Sequence, residues 1–225
     1  MSADNRAAHL PNGAASATLY LSRHGQTVWH RENRYAGSSD IDLTAAGHLQ
    51  AELLARWARW ARPDVLYCSP MRRARDTADP VAAAIGREPV IDPELRELHF
   101  GVAEGRTIGE IRSEQPEVVA RFEADPADGH FPDAEPPSAA AARGAFALRR
   151  IAADNPGRRV LIVAHNTLIR LSLCHLVGIP ISNYRKVLPV LDNGTLTTLT
   201  LTGDPGMPAA LLSFNVPLEA ALIST

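Results

Sequence analysis

The chain has 225 residues, of which 45% are apolar and 21% are charged, a composition typical of one soluble globular domain with a sizeable core. Its formal net charge of -2 excludes the strongly basic surface that binding to nucleic acid or to an anionic membrane requires. No apolar run has the length of a signal-peptide core or a membrane span, so we predict a cytoplasmic protein. The two cysteines are far apart in apolar surroundings, which indicates neither a disulfide framework nor a thiolate zinc site.

The polar, alanine-rich start of the chain predicts a disordered tail over residues 1–17, followed by a single domain over residues 18–225. In chain order, the first half of this domain is predicted as strand 18–23, helix 44–61, strand 64–69, helix 71–78, short strand 88–92 and helix 107–115. Thr44 is a candidate cap for the first helix. The core face of that helix is predicted from the helical spacing of four large side chains, Leu49, Leu53, Trp57 and Trp60. Pro116 is expected to end the last of these helices.

The second half of the domain opens with the segment ADPADGHFPDAEPP (124–137). Its proline and aspartate content predicts a mobile loop that serves as a lid. The segments after it, in chain order, are predicted as helix 138–154, strand 158–165, helix 166–178 and closing strands 186–191, 195–201 and 209–214. Helices that alternate with apolar strands indicate an α/β fold. We therefore predict a three-layer αβα sandwich with a mainly parallel central sheet.

Polar side chains follow three of the predicted strands. Arg23 and His24 come after the first strand, and His165 comes at the end of strand 158–165. The helix after the second strand carries three arginines, Arg72, Arg73 and Arg75. The segment LRELHFGVAEG carries three acids, Glu94, Glu97 and Glu104. Because ligands bind outside the carboxyl ends of the strands in such sheets, we expect these side chains to meet at one edge.

These residue types together predict chemistry on a phosphoryl group. Guanidinium groups match phosphate oxygens, and a neutral imidazole can attack phosphorus. A carboxylic acid nearby can protonate the leaving alcohol. A zinc site built from His24, His30 and His165 is the competing interpretation, but the charges of Arg23 and Arg73 would repel the metal.

Five segments of the chain resemble the motifs of the histidine phosphatase superfamily, which is also called phosphoglycerate-mutase-like. They are LSRHGQT, GSSDIDLTAAG, SPMRRARDTA, LRELHFGVAEG and VLIVAHNTLIR. An Arg-His-Gly triplet alone is a weak signal, whereas five motifs in the family's order, spanning about residues 19–193, are a strong one. The resemblance implies a phosphatase of this fold that uses no metal and no other cofactor.

The resemblance also implies a role for each matching position. His24 would be the nucleophile that becomes a phosphohistidine, and Glu97 would be the general acid and then the general base. Arg23, Arg73 and the catalytic His165 would hold the phosphoryl oxygens and stabilise the transition state. Because His24 must be neutral and Glu97 partly protonated, we expect a pH optimum from mildly acidic to neutral.

The sequence departs from the family pattern at two places. His30 stands where the family commonly has an asparagine that hydrogen-bonds the phosphate. Asn166 and Thr167 follow the second histidine in place of glycines, and Asn166 is expected to reach the mouth of the pocket. Gly25 is expected to turn the following backbone amides toward the anion, and the Thr27 hydroxyl is a further expected substrate contact.

Three function hypotheses remain open. We favour hydrolysis of a small phosphate monoester, because the segment between Glu97 and His165 lacks the long basic insertion of the mutases. A phosphoglycerate-mutase-type transfer is the second hypothesis. A non-catalytic phospho-ligand-binding domain is the third, and its usual sign would be loss of the nucleophile or the acid. No nucleic-acid or membrane partner is predicted, and the apolar closing strands are compatible with a homodimer.

Overall fold

The structure of the protein is a computed structural model, and it describes residues 15–219. Its centre is one six-stranded sheet made of β1 (Ala17–Arg23), β2 (Val65–Cys68), β3 (Val90–Ile91), β4 (Arg159–Ala164), β5 (Leu196–Leu201) and β6 (Ala210–Val216). The strands lie in the order β3-β2-β4-β1-β5-β6. The first four strands of that order are parallel. At one edge, β5 pairs antiparallel with β1, and β6 pairs antiparallel with β5. This arrangement confirms the mainly parallel sheet.

Seven α-helices are present within residues 15–219. They are α1 (Ala45–Ala61), α2 (Arg72–Ile85), α3 (Ile108–Glu114), α4 (Pro116–Ala124), α5 (Pro137–Asp154), α6 (Asn166–Val177) and α7 (Tyr184–Val187). The cap predicted for α1 is confirmed, because the Thr44 hydroxyl accepts a hydrogen bond from the Gly47 amide. Gly178 ends α6 with a φ of 76°, a left-handed conformation that glycine adopts without steric cost.

The helices cover both faces of the sheet. Helices α1 and α2 pack with the buried side chains of Leu66, Leu161 and Val163 on one face. Helices α5 and α6 pack with Leu21 and Ile162 on the other. Successive residues of a strand point to opposite faces, so the apolar β4 is buried on both sides. The three-layer αβα sandwich is therefore confirmed.

The first strand begins one residue earlier than predicted. Residues 1–14 of that prediction lie outside the described residues. Ala17, the last residue assigned to the tail, is fully buried and already belongs to β1, where it pairs with Leu201. An alanine carries little β-strand signal of its own, and the pairing partner lies far away in the sequence.

The core face predicted for α1 is only partly correct. Trp57 is 3% exposed, but Leu49 is 67% exposed and Trp60 is 54% exposed. The buried face carries alanines instead, including Ala51, Ala55 and Ala58, and these small side chains let α1 approach α2 closely. A pattern read from large apolar residues misses such a face.

The prediction of a strand over residues 186–191 is wrong. The helix α7 occupies its first part, and the remainder is irregular. Backbone carbonyls of this segment accept hydrogen bonds from buried arginines, from Arg170 at Leu188 and from Arg23 at Leu191. These bonds hold the segment away from a strand ladder. The end of a helix before Pro116 is confirmed, since α3 ends at Glu114, and Pro116 then occupies the first position of α4, where its missing N–H costs nothing.

The proline-rich segment between α4 and α5 is anchored to the core. Phe131 is 1% exposed and stacks on Phe122 at 4.4 Å between ring centroids. The Val102 amide donates to the Pro132 carbonyl at 3.0 Å, and the Glu135 amide donates to the His99 carbonyl at 2.9 Å. Movement of this segment as a lid stays a prediction.

Candidate active site

A cavity lies at the carboxyl ends of the parallel strands, where the sequence analysis expected the site. Six of the eight predicted site residues line it, namely Arg23, His24, Thr27, His30, Glu97 and Asn166. The other two, Arg73 and His165, are fully buried beside these residues. The centroid of the His24 ring lies 5.2 Å from that of His165 and 5.9 Å from that of His30. The ends of β1 and β4, the first turns of α2 and α6 and the segment after β3 thus bring the predicted residues to one place.

His24 is held in the tautomer that leaves its outer nitrogen free. Its Nδ1 lies 2.7 Å from the Gly25 carbonyl oxygen, which can only accept, so Nδ1 carries the proton. Burial, followed by the charges of Arg73 and Arg23, holds the pKa of His24 well below its ordinary value of 6.5. The ring is therefore neutral at pH 7 with a free lone pair on Nε2.

His165 is oriented by a hydroxyl at the end of β2. Its Nε2 lies 2.7 Å from Ser69 Oγ, which also accepts a hydrogen bond from the Met71 amide at 3.3 Å. This contact fixes the orientation of the ring and directs Nδ1 away from Ser69. That Nδ1 is buried and has no partner within residues 15–219. Burial and the Arg73 charge hold the pKa of His165 well below 6.5.

Arg23 and Arg73 bring positive charge to the site, and neither binds a carboxylate within residues 15–219. Arg23 donates to the Leu191 carbonyl at 2.6 Å and to His30 Nε2 at 2.6 Å. Arg73 donates to the carbonyls of Ala36, Gly37 and Ser39 at 2.8–3.0 Å. The Nε of each is buried with no partner in the described part of the chain. Burial lowers the pKa of Arg23 to about 10, so it stays protonated at pH 7.

His30 acts as an acceptor for Arg23. Its Nδ1 lies 2.9 Å from the Thr27 amide and 2.8 Å from the Thr27 hydroxyl, while its Nε2 faces the Arg23 guanidinium. Burial, followed by the Arg23 charge, lowers the pKa of His30 to about 4. Both ring nitrogens are thus engaged inside the protein, although the ring lines the cavity.

The backbone amides after His24 do not face the cavity, which corrects the expectation for Gly25. The Gly25 amide donates to Thr77 Oγ1 and the Gln26 amide donates to Gln50 Oε1, while the Thr27 amide nitrogen lies 2.9 Å from His30 Nδ1. Gly25 is required for another reason. A Cβ there would lie 2.5 Å from the Gly47 carbonyl oxygen, so a side chain would push this turn away from the start of α1.

Of the three candidate acids, Glu97 lies in the cavity. One carboxylate oxygen accepts from the amides of Leu98 at 2.8 Å and Leu168 at 2.9 Å, and the other accepts from the Thr167 amide at 3.0 Å. The last two amides belong to the first turn of α6, where a carboxylate is favoured. Burial raises the pKa of Glu97 against the effect of these bonds.

The other two acids serve elsewhere. Glu104 accepts hydrogen bonds from the backbone of Gly37 and Ser39, the loop that Arg73 also holds. Glu94 lies 3.7 Å from Arg96 outside the cavity. Asn166, expected at the mouth of the pocket, lines the cavity and keeps a buried Oδ1 without a partner within residues 15–219.

Several residues that line the same cavity were not predicted from the sequence. Arg170 on α6 and Tyr184 and Arg185 on α7 line it, as does Arg34. One signal was available, because Arg170 interrupts the otherwise apolar sequence TLIRLSLCHLV and is only 6% exposed. Tyr184 and Arg185 lie just before the incorrectly predicted strand 186–191, in a stretch for which no element was predicted.

A family model of the histidine phosphatase superfamily (branch 1) matches residues 19–211. The chain belongs to the histidine phosphatase superfamily. A relative from Hydrogenobacter thermophilus, named as a phosphoserine phosphatase, is 31% identical over 186 residues, which are 83% of this chain and 90% of that protein. A relative from Serratia proteamaculans, named as a phosphoglycerate mutase GpmB, is 34% identical over 169 residues, which are 75% of this chain and 79% of that protein.

The solved structures agree on the fold. Mycobacterial glucosyl-3-phosphoglycerate phosphatase has a TM-score of 0.80 and 28% identity to this histidine phosphatase, over 90% of this chain and 100% of that chain. The family and the phosphatases among its members support a phosphatase activity. No helix within residues 15–219 is long and apolar enough to cross a membrane.

Proposed function

We propose that this histidine phosphatase is a metal-independent phosphomonoesterase that hydrolyses a small phosphorylated metabolite through a phosphohistidine on His24. The observation that carries the proposal is the free Nε2 of a neutral His24, in a site with buried nitrogens of Arg23, Arg73 and His165 that have no partner in the described part of the chain. Such nitrogens match the equatorial oxygens of a phosphoryl group in flight.

The first step is an in-line displacement at phosphorus. The lone pair of His24 Nε2 forms the new N–P bond as the P–O bond to the leaving alcohol breaks. Glu97 gives its proton to the departing oxygen, a role that its raised pKa favours. Arg23, Arg73 and His165 stabilise the phosphoryl charge during the transfer.

The second step releases inorganic phosphate. Glu97, now ionised, takes a proton from a water molecule, whose oxygen attacks phosphorus as the P–N bond breaks. The electron pair of that bond returns to His24 Nε2, and the free enzyme is restored. The Thr27 hydroxyl and the Asn166 side chain are the further proposed substrate contacts, since both residues line the cavity. Every charge that the two steps need is supplied by side chains.

Hydrolysis is tested with p-nitrophenyl phosphate between about pH 5 and pH 8, with and without a chelator. The wild type is expected to hydrolyse it equally in both conditions, and His24→Ala is expected to lose at least about a thousandfold in kcat. His48→Ala, at an exposed histidine of α1, is the matched control and keeps full activity. Full activity of His24→Ala would overturn the nucleophile, and activity lost with the chelator would overturn metal independence.

A mutase is the second candidate, supported by the relative named as a phosphoglycerate mutase. The segment between α4 and α5 lines no part of the described cavity and supplies no basic residue to retain a bisphosphate. Stimulation by catalytic amounts of bisphosphoglycerate, with interconversion of phosphoglycerates, would favour the mutase. Phosphate binding without any turnover by the wild type would favour a binding domain.

A further inference from the structure

The substrate cavity contains two arginines that the proposed phosphoryl transfer does not use. Arg170 projects from α6 and Arg185 from α7, and both line the same cavity as His24 and Glu97. Arginines at a surface are common, but these two face a cavity that already contains the charge needed for one phosphoryl group. Their surroundings show whether that charge is compensated.

Arg170 is held by groups that do not neutralise it. Its Nε donates to the Leu188 carbonyl at 2.6 Å, and its Nη2 donates to the Pro189 carbonyl at 3.3 Å. Its Cζ lies 4.9 Å from the centroid of the Tyr184 ring. Carbonyls and an aromatic face orient a guanidinium and leave its full charge in place. Its Nη1 donates to no group in the described part of the chain.

Arg185 is oriented in the same manner, since its Cζ lies 5.0 Å from the centroid of the Phe122 ring. Within residues 15–219, no carboxylate lies within 4.0 Å of the guanidinium of Arg170 or Arg185. Arg34 shows the contrast in the same cavity. It binds Glu110 through two nitrogens and Glu32 through a third, so its charge is already compensated.

The charge count of the cavity leaves room for two anionic groups. Arg23, Arg73, Arg170 and Arg185 supply four positive charges, and Glu97 is uncharged while it acts as the acid. A phosphate monoester dianion balances two of these charges, and one further carboxylate balances a third. Uncompensated charge at a buried position such as that of Arg170, which is 6% exposed, is costly in the free protein, and a ligand of opposite charge relieves that cost.

We propose that Arg170 and Arg185 form a subsite for a carboxylate on the leaving-group part of the substrate, so that the substrate is a phosphorylated carboxylic acid. The proposal rests on the proposed function for the position of the phosphoryl group beside His24. Arg170 and Arg185 are specificity residues here, and neither touches the reacting atoms. Burial raises the pKa of Tyr184, so its hydroxyl stays protonated and is available as a further donor to the carboxylate.

Binding is measured apart from turnover, by calorimetry on His24→Ala. The probes are 3-phosphoglycerate and glycerol 3-phosphate, which differ in a carboxylate against a hydroxymethyl group. The carboxylate is expected to tighten Kd by about 10- to 100-fold, as hydrogen bonds to charged groups do. Adding Arg185→Met or Arg170→Met is expected to reduce the difference to below about threefold. Arg56→Met, at an exposed arginine of α1, is the control that preserves it.

The outcomes separate the two proposals. Equal binding of both probes, or a preference that survives both arginine substitutions, overturns the subsite and leaves the phosphatase intact. Arg185 is exposed, so its variant keeps the test valid if Arg170→Met fails to fold. A preference for fructose 1,6-bisphosphate over fructose 6-phosphate, with equal binding of the first pair, overturns the carboxylate in favour of a second phosphate. Binding of neither probe, with no hydrolysis by the wild type, overturns the phosphatase as well.

Discussion

At the scale of single residues, the site depends on hydrogen bonds that decide which nitrogen carries a proton. The Gly25 carbonyl fixes the proton of His24 on Nδ1, and the Ser69 hydroxyl fixes the orientation of the His165 ring. Both rings are neutral at pH 7 because burial and the neighbouring arginines lower their pKa. His24 is thereby left with a free lone pair on Nε2, and His165 with a buried Nδ1 that has no partner within residues 15–219.

Glu97 is expected to set the falling limb of the pH profile. Its raised pKa keeps the acid form available at mildly acidic pH, and kcat/KM should fall as pH rises and this form is lost. Glu97→Gln should remove this limb. It should also lower kcat/KM, which reports the steps up to release of the alcohol, by about 10²- to 10⁴-fold for an alkyl phosphate and by much less for p-nitrophenyl phosphate, because p-nitrophenolate leaves without protonation. Equal losses in kcat/KM on both substrates would contradict proton donation by Glu97.

His30 is expected to act through Arg23 rather than through the substrate. His30→Ala removes the acceptor of Arg23 Nη2, so kcat/KM for p-nitrophenyl phosphate should fall by about tenfold. His30→Asn, which restores an acceptor, should recover most of this loss, and a crystal structure of it should show the Arg23 guanidinium in place. An unchanged rate in His30→Ala would remove His30 from the site.

At the scale of the elements, the strand ends were predictable and the α6–α7 side of the cavity was not. The apolar runs of β1 and β4 place His24 and His165 by themselves, because each run ends at its histidine. Arg170 and Arg185 join the cavity only through the path of the chain after Gly178. That path is determined by arginine side chains bound to distant carbonyls, an interaction that leaves no periodic pattern in the sequence.

The two tryptophans of α1 allow the packing of this helix to be tested through the free energy of unfolding. Trp57 is buried and lies 4.9 Å from the Tyr20 ring, whereas Trp60 is more than half exposed. Trp57→Ala should lower the free energy of unfolding by about 3–5 kcal/mol because it leaves a cavity. Trp60→Ala, the matched control, should change it by no more than about 0.5 kcal/mol. Urea denaturation measures both, and equal losses would contradict the packing of α1.

At the scale of the whole molecule, the buried site makes stability depend on pH. His24, His30 and His165 have a lower pKa in the folded state than the ordinary 6.5, so below about pH 6.5 the unfolded chain binds more protons. Stability therefore falls as pH decreases below 6.5, down to about 4 for His30. The raised pKa of Glu97 has the opposite effect on stability, because the folded state then holds a proton that the unfolded chain releases. This single group opposes the three histidines.

The expected result is a lower urea midpoint at pH 5 than at pH 7. His30→Asn should show a smaller difference between the two midpoints, because it removes one of the three histidines. A midpoint that is unchanged or higher at pH 5 would contradict the neutral, buried histidines on which the proposed chemistry depends.

The central claim is the covalent phosphohistidine on His24, and trapping it is the most direct test. The enzyme is mixed briefly with p-nitrophenyl phosphate carrying radioactive phosphorus, denatured at alkaline pH and digested to peptides. The label should appear in an acid-labile bond on the peptide that contains His24, and it should accumulate in Glu97→Gln, where hydrolysis of the intermediate is slow. Label on a different residue, or turnover with full burst amplitude in His24→Ala, would contradict the account.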